Sequence, residues 1–447
     1  MAWASFQAVC GLLLGLLVGA WLALGPAIGS AAQALIGFYE LVAPVLIFAI
    51  LGPSLLKLLR HDRGDLRRFT VFTVAWFSVL RLLVCLVAAG AVVAVYRLPW
   101  AGGKTPGMAV PWLSLLTLAE NRYLLTFAAA CLAAWLLRHR DGPVVQLFLN
   151  LPDYVEAAGN LLTRLTALFG FLVGVYIISL PDMLLTAING MRGATLHPLL
   201  FRWFGIETAT AGGLMAVYLA VTALTAVLCF LLHAGLLTWA RCSLPGFSVR
   251  GYLSGYLVRV YPLIWSTGAE SLAIPANLAT IRRYGQGLPD ALRDLTAGLA
   301  ATLNLNGTLI CCLVLIPAVC MTIGHTLSIT DLLACLPLIF LLGYAIPGIP
   351  GELVIFAGPI AQALGITGAE RELFLLLFLS WQIGLTDSFR SAGSATDGVP
   401  ATLLLTQGYR YRFGIPAAIR EVASDGGPLT GQIALVNNTN EGGPYGG

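Results

Sequence analysis

The chain has 447 residues, of which 58% are hydrophobic and 10% are charged, and its mean hydropathy is +0.86. This composition excludes a water-soluble globular domain and predicts a polytopic membrane protein. The formal net charge of +4 is small and the basic residues cluster in short loops, so a nucleic-acid partner is not expected. The nine cysteines include no CxxC pair, which indicates neither a metal cluster nor a disulfide framework.

Continuous apolar runs predict membrane-spanning helices in the first half of the chain. They lie near residues 7–25, 35–58, 69–96, 113–137, 160–185 and 211–239. Each run is long enough for the 20 or so residues that a span requires. The runs are not alternating, so they favour an all-α bundle over a barrel. The first run has no basic residue before it and leads directly into the second, so we interpret it as a helix and not a cleaved signal peptide.

The basic loops set the expected orientation. The loop after the second span carries five basic residues between Lys57 and Arg68, and Arg138 and Arg140 follow the fourth span. Basic loops remain in the cytoplasm, which places the N-terminus there too. The tail 421–447 lacks apolar periodicity, and we expect it to be disordered and cytoplasmic.

Beyond residue 240 the apolar runs are interrupted at 266–275, 304–307 and 347–352. Irregular backbone at membrane depth is tolerated only where it lines a cavity or is buried in protein. The first and third interruptions leave two arms that are each too short to span, which predicts re-entrant hairpins. The second, within Asn304-Leu305-Asn306-Gly307-Thr308, presents oxygen atoms of the kind that small cations prefer. A kink satisfied by neighbouring helices is the alternative for this motif.

A polar stripe marks the last apolar segment. Asp387, Arg390, Ser391, Ser394 and Asp397 recur at three- and four-residue steps, so on a helix they share one face. A buried charge at membrane depth costs at least about 3 kcal/mol unless it has a partner, a cavity or a ligand. The stripe therefore predicts a binding site. The alternative is an ion pair of Asp387 with Arg390 that only holds helices together.

The order of these elements resembles the dicarboxylate/amino acid:cation symporter family, the family of glutamate and aspartate transporters. The shared features are six spans, a hairpin with a serine-rich tip, the Asn-x-Asn-Gly-Thr motif, a Gly-Ile-Pro-Gly hairpin and the polar-striped last helix. The resemblance implies an all-α polytopic membrane protein with eight transmembrane helices and two re-entrant helical hairpins. It also implies a homotrimeric elevator-type transporter, in which a scaffold (1–68 and 101–210) holds a moving transport domain (69–100 and 211–420).

The resemblance also implies roles for individual residues. Arg390 matches the arginine that pairs with the side-chain carboxylate of the substrate, and Asp387 matches the aspartate that receives its α-amino group. Residues 348–351 match the tip of the outer gate. The substrate-binding residues implied in this way are Arg390, Asp387, Ser391, Ser394, Ser271, Glu270, Thr308, Gly348 and Gly351.

Three residues are the expected ion ligands, Asn304, Asn306 and Asp397, and two of them depart from the pattern of the family. Asn306 stands where the family has a sodium-binding aspartate. Asp397 is shifted by one residue, which rotates a side chain by about 100° on a helix. The sodium sites are therefore expected to be weakened.

Two additional carboxylates, Glu270 and Glu352, lie at the hairpin tips, where relatives have small or hydroxyl residues. A carboxylate in a partly dehydrated cavity takes up a proton more readily, so both are candidate proton carriers. The alternative is that each one caps hairpin amide groups or faces water. Arg81, deep in the third span, is a candidate counter-charge for one of these acids.

The leading interpretation is a symporter for an acidic amino acid or a C4-dicarboxylate, driven by sodium or protons. Its expected partners are the small carboxylate substrate, the coupling cation, membrane lipid and two further copies of the chain, in the inner (plasma) membrane of a bacterium. Alternatives are a transporter of a neutral or amine-bearing substrate, and an uncoupled ion-conducting descendant of the fold. An intramembrane enzyme is not expected, because the five histidines are scattered and neither HExxH nor GxSxG occurs.

Overall fold

The computed structural model describes residues 2–22, 48–49, 52–53, 56, 60, 64–100, 122–151, 154, 166–191, 196, 210–268, 270–284, 296, 300, 303–345 and 353–413. Within these ranges every regular element is a helix, which agrees with the predicted all-α fold. Most of the predicted second span, the tip from Pro347 to Glu352 and the tail 421–447 lie outside them.

The first half of the chain contributes five helices with described bounds. They are α1 (Ala2–Leu22), α2 (Gly64–Tyr96), α3 (Arg122–Leu137), α4 (Pro143–Leu149) and α5 (Thr166–Gly190). Four of them coincide with predicted spans, and α4 is an additional short helix. Helices α1 and α5 pack closely on each other, because Gly15 and Gly174 leave room at the crossing. Small residues at such crossings are typical of membrane helices.

The second half of the chain is more broken. Its helices are α6 (Ala211–Ser243), α7 (Val249–Tyr252), α8 (Val258–Thr267), α9 (Ile274–Tyr284), α10 (Asn306–Thr322), α11 (Ile329–Leu342), α12 (Val354–Ala363), α13 (Gly368–Gln382) and α14 (Leu385–Phe413). A π-helical turn, Leu253–Leu257, joins α7 to α8, and short 3-10 turns lie at Glu270–Ala273 and Gly343–Ala345.

Two predicted interruptions of the apolar runs are present in the described residues. Helix α8 ends at Gly268, whose φ of 64° lies in the left-handed region that favours glycine, and the chain resumes with the turn at Glu270. Asn304 and Leu305 are not helical, and α10 begins only at Asn306. A third break at Gly384 (φ 79°) separates α13 from α14, which meet at 62°.

Two of the described helices are long and apolar enough to cross a membrane, namely Arg68–Tyr96 within α2 and Ala211–Ser243. A third span results if the bent pair α13 and α14 counts as one. Helix α10 lies at the centre, because all but one of its residues are buried and it packs against α2, α6, α13 and α14. The polar stripe of α14 faces this centre.

Candidate functional site

Arg390 is the centre of the candidate site. Its guanidinium is fully buried. Its Nε donates to Oδ1 of Asp387 at 2.8 Å, and Nη2 forms a second contact with the same oxygen. The two residues are three positions apart on α14, so the helix itself brings them to one face. The predicted ion pair of the polar stripe is therefore present.

Arg390 also reaches two of the chain breaks. Its Nη1 donates to Oγ1 of Thr308 at 2.7 Å, in the first turn of α10. The same nitrogen lies 3.5 Å from Oε1 of Glu270, at the turn that follows α8. Glu270 is 6% exposed. Residues predicted separately from three segments thus meet at one guanidinium, and two carboxylates face one cation.

The start of α10 is held directly against α14. Gly307 donates its backbone N–H to Oγ of Ser394 at 3.0 Å, and Nδ2 of Asn304 donates to the backbone carbonyl of Ser394 at 3.0 Å. A Cβ at Gly307 would overlap the backbone carbonyl of Arg390. Glycine is therefore required here for the close approach of the two helices.

Three oxygen atoms beside these contacts are buried without a hydrogen-bond partner in the described ranges. They are Oδ1 of Asn306, Oγ of Ser391 and Oδ2 of Asp397. The amide of Asn306 is itself oriented, because its Nδ2 donates to Oδ1 of Asn304 at 2.9 Å. An unsatisfied buried oxygen is unfavourable, so these atoms are suited to a cation or to a polar substrate group.

Asp397 has a partner that the sequence analysis missed. Its Oδ1 lies 2.6 Å from Nδ1 of His233 on α6, and both side chains are buried. The ring of Tyr252 lies beside the imidazole. A single histidine in the middle of an apolar helix was the available signal, since polar residues at membrane depth require partners. The predicted sodium ligand therefore shares its carboxylate with an imidazole.

Further hydrogen bonds fix the position of α14. The Tyr218 hydroxyl on α6 accepts from the backbone N–H of Leu385 at 2.7 Å, and the hydroxyls of Thr222 and Thr386 are 2.6 Å apart. Nδ2 of Asn277 on α9 donates to the backbone carbonyl of Ala395 at 2.9 Å. These contacts position the stripe without occupying its polar face.

Some predicted site residues are described only in part or not at all. Ser271 lies in the turn Glu270–Ala273, where only its backbone is described. Gly348, Gly351 and Glu352 lie outside the described residues, so their predicted roles stay predictions.

Arg81 lies on α2 and is 0% exposed, but it does not pair with Glu270, which contacts Arg390 instead. Glu352, the other acid considered, lies outside the described residues, so the prediction that Arg81 balances one of the two stays a prediction. Its guanidinium carbon lies 4.1 Å from the ring centroid of Tyr344 and 5.8 Å from that of Phe340. Such contacts contribute about 2 kcal/mol when desolvated, whereas each unmade hydrogen bond of a buried group costs about 1–3 kcal/mol.

A comparison with protein families identifies the C-terminal half. Residues 202–407, slightly less than half of the chain, match the Sodium:dicarboxylate symporter family. The matched range covers α6 to α13 and most of α14, and so it contains every described residue of the candidate site around Arg390. The resemblance drawn from the motifs is thereby confirmed.

Members of this family are membrane transporters. A comparison with curated proteins gave no match.

Proposed function

We propose that the protein is a secondary active transporter that moves an acidic amino acid or a C4-dicarboxylate across the membrane, coupled to a cation gradient. The observation that carries this proposal is the buried guanidinium of Arg390, at which α14, the first turn of α10 and the break after α8 meet. A planar guanidinium is suited to bidentate binding of a carboxylate. Its burial strengthens that interaction, because water does not compete.

Binding of a carboxylate requires an exchange of partners at Arg390. Of its contacts with Asp387, Thr308 and Glu270, the one with Glu270 is the longest. We propose that the carboxylate of the substrate takes the place of Glu270 while Asp387 stays on the guanidinium. The carboxylate of Asp387 then accepts a hydrogen bond from the ammonium group of an amino-acid substrate. Protonation of Glu270 reduces its repulsion of the incoming carboxylate, which links substrate binding to proton uptake.

Sodium is the other candidate coupling ion. The unsatisfied oxygens of Asn306 and Asp397 support a cation site, since a sodium ion prefers oxygen ligands. The contact of Asp397 with His233 opposes it, because one carboxylate oxygen is already engaged by the imidazole. Weak sodium coupling or proton coupling is therefore the proposal for this chain.

The remaining parts of the proposal concern the whole assembly. We propose an elevator mechanism in a homotrimer embedded in lipid, with two re-entrant hairpins and with both termini in the cytoplasm of a bacterium. The break at Gly268 and the central position of α10 support a compact transport domain.

A second candidate is a transporter of a neutral or amine-bearing substrate. It is favoured by one observation, namely that Asp387 and Glu270 together place two carboxylates on one guanidinium. If both remain ionised, the site carries one net negative charge and attracts an amine more than a dianion. An uncoupled, ion-conducting descendant of the fold is the third candidate.

The decisive experiment is uptake of labelled L-aspartate and labelled succinate into liposomes that contain the purified protein. Inward sodium and inward proton gradients are compared at matched membrane potential. Accumulation under either gradient supports coupled symport and identifies the ion. Equilibration without accumulation favours the uncoupled descendant. If neither compound enters, uptake of labelled neutral and basic amino acids tests the second candidate.

Arg390→Ala is the matching variant, and Arg412→Ala is its control, because Arg412 lies on the same helix with its side chain exposed. We expect Arg390→Ala to abolish uptake of both compounds and Arg412→Ala to leave it unchanged. Thermal unfolding of both variants shows whether they fold. Unchanged aspartate affinity in folded Arg390→Ala would exclude the proposed role of Arg390.

A further inference from the structure

Arg81 is a buried charge that the proposed transport site does not use. It lies 17 residues after the start of α2 and 15 before its end, so about 22 Å of helix separate it from the nearer terminus. A side chain at this depth cannot extend to the membrane surface. An ionisable residue at the middle of a membrane helix indicates a function or a specific partner.

The described neighbours of Arg81 supply no anion, and the acceptor beside it is the neutral hydroxyl of Tyr344. Nε, Nη1 and Nη2 all lack a hydrogen-bond partner in the described part of the chain. The rings of Tyr344 and Phe340 attract the positive charge, but they accept none of its N–H groups. The Ser78 hydroxyl donates to the Val74 carbonyl and lies 2.5 Å from the Tyr344 hydroxyl, which donates to it; both hydroxyls are neutral, so neither compensates the charge of Arg81.

We propose that Arg81 binds a small monovalent anion of the chloride class, where α2 meets the turn Gly343–Ala345 that follows α11. The ring of Tyr344 positions the guanidinium, and a Cβ at Gly343 would overlap its Nη2 atom. Glycine at position 343 therefore leaves the space that the guanidinium occupies beside the turn. The bound anion neutralises Arg81 and holds this turn against α2.

This anion site is separate from the proposed transport site. Arg81 and Arg390 lie on different helices, and the residues that contact Arg390 do not include the rings beside Arg81. The inference therefore does not depend on which substrate is carried or which cation drives it. Its consequence is that the stability of the protein depends on the anion in the medium.

The test is thermal unfolding of the purified full-length protein in detergent, with chloride progressively replaced by gluconate at constant sodium concentration and ionic strength. Gluconate serves as the bulky anion that a tightly packed site excludes. We expect the melting temperature to rise with chloride and to saturate, by about 2 °C or more, because the ligand binds only the folded state. Bromide should replace chloride. A melting temperature that is the same in chloride and in gluconate overturns the proposal.

Variants at Arg81 assign the effect to this residue. Arg81→Met keeps a similar volume without the charge and should remove the response to chloride. Arg81→Lys keeps the charge and should retain the response with a half-saturating concentration at least about threefold higher, because the guanidinium fork is lost. Arg412→Met, on an exposed side chain, should respond like the wild type. A full response in Arg81→Met overturns the proposal, and so does no response in folded Arg81→Lys.

One further variant tests an internal counter-charge. If the carboxylate of Glu352 neutralises Arg81, the wild type will not respond to chloride and Glu352→Gln will gain a response. That pair of results overturns the proposal. A response of equal size in the wild type and in Glu352→Gln supports it.

Discussion

Arg390 and Arg81 are both buried arginines at membrane depth, but their surroundings differ. Arg390 has carboxylate partners from its own helix and from the break after α8, and it also bonds to Thr308. Arg81 has no carboxylate partner among the described residues, and its neighbours are the side chains of Tyr344 and Phe340. A buried ion pair offsets much of the cost of dehydration, whereas an unpaired charge retains it. The two residues therefore have different requirements for a ligand.

Asp387→Asn should distinguish substrates with and without an ammonium group. A hydrogen bond to a charged group contributes about 1.5–3 kcal/mol, which corresponds to a tenfold or greater change in affinity. We expect L-aspartate affinity to fall about tenfold or more and succinate affinity to fall much less, because asparagine still accepts a bond from Arg390. Competition of both compounds for uptake measures the ratio. Equal losses for the two compounds would show that Asp387 does not contact the ammonium group.

The pair of His233 with Asp397 should be coupled energetically. Removal of one partner from a buried hydrogen bond leaves the other group unsatisfied, which costs about 1–3 kcal/mol, whereas replacement of both partners is much less costly. We expect His233→Leu to lower the melting temperature markedly and the double variant with Asp397→Asn to recover most of that loss. A double-mutant cycle from thermal unfolding measures the coupling. Additive effects of the two substitutions contradict a direct pair.

The site residues that the sequence predicted share a local signal. The polar stripe of α14 could be predicted because helical periodicity places Asp387, Arg390 and Ser394 on one face within eight residues. Contacts across the chain carry no such signal. Glu270 and Arg390 are 120 residues apart, and His233 and Asp397 are 164 residues apart. The first pair meets because the turn after α8 packs on α14, and the second because α6 packs on α14.

At the scale of elements, the breaks between helices are the most predictable feature. Glycine at 268 and polar residues from 304 to 307 interrupt apolar runs, and the helices end or begin there. The bend at Gly384 was not predicted, because no proline and no polar cluster precedes it in the sequence. Its positive φ of 79° is accessible to glycine without strain.

Gly307→Ala should separate α10 from α14. The added methyl group would overlap the Arg390 carbonyl, and it would also lie 2.9 Å from Oγ of Ser394. We expect loss of most transport and a lower melting temperature. The overlap is with the backbone of α14, which cannot move aside as a flexible side chain can. Gly358→Ala is the control, because nothing lies within 4 Å of a Cβ there and alanine favours the helix α12 by about 1 kcal/mol. Normal transport in Gly307→Ala would contradict the close approach.

At the scale of the whole molecule, the family match and the proposed transport domain largely coincide. The match covers residues 202–407, and the predicted transport domain includes 211–420. Helices α1 and α5 lie outside the match and pack closely on each other. The described contacts between these two parts include the Tyr176 hydroxyl, which donates to the Ser380 carbonyl at 2.9 Å. An elevator mechanism requires such contacts to break and re-form during each cycle.

A covalent link across that contact should therefore stop transport. In the double variant Tyr176→Cys with Ser380→Cys, a short bis-methanethiosulfonate would join α5 to α13 through two disulfides, with release of methanesulfinate at each cysteine. We expect uptake to be lost on linkage and restored after reduction, with mass spectrometry used to confirm the link. The two single variants and the wild type, treated in parallel, control for the native cysteines. If the linked protein still accumulates substrate, transport does not require α5 and α13 to move apart. That result would contradict either the proposed boundary between scaffold and transport domain or the elevator mechanism itself.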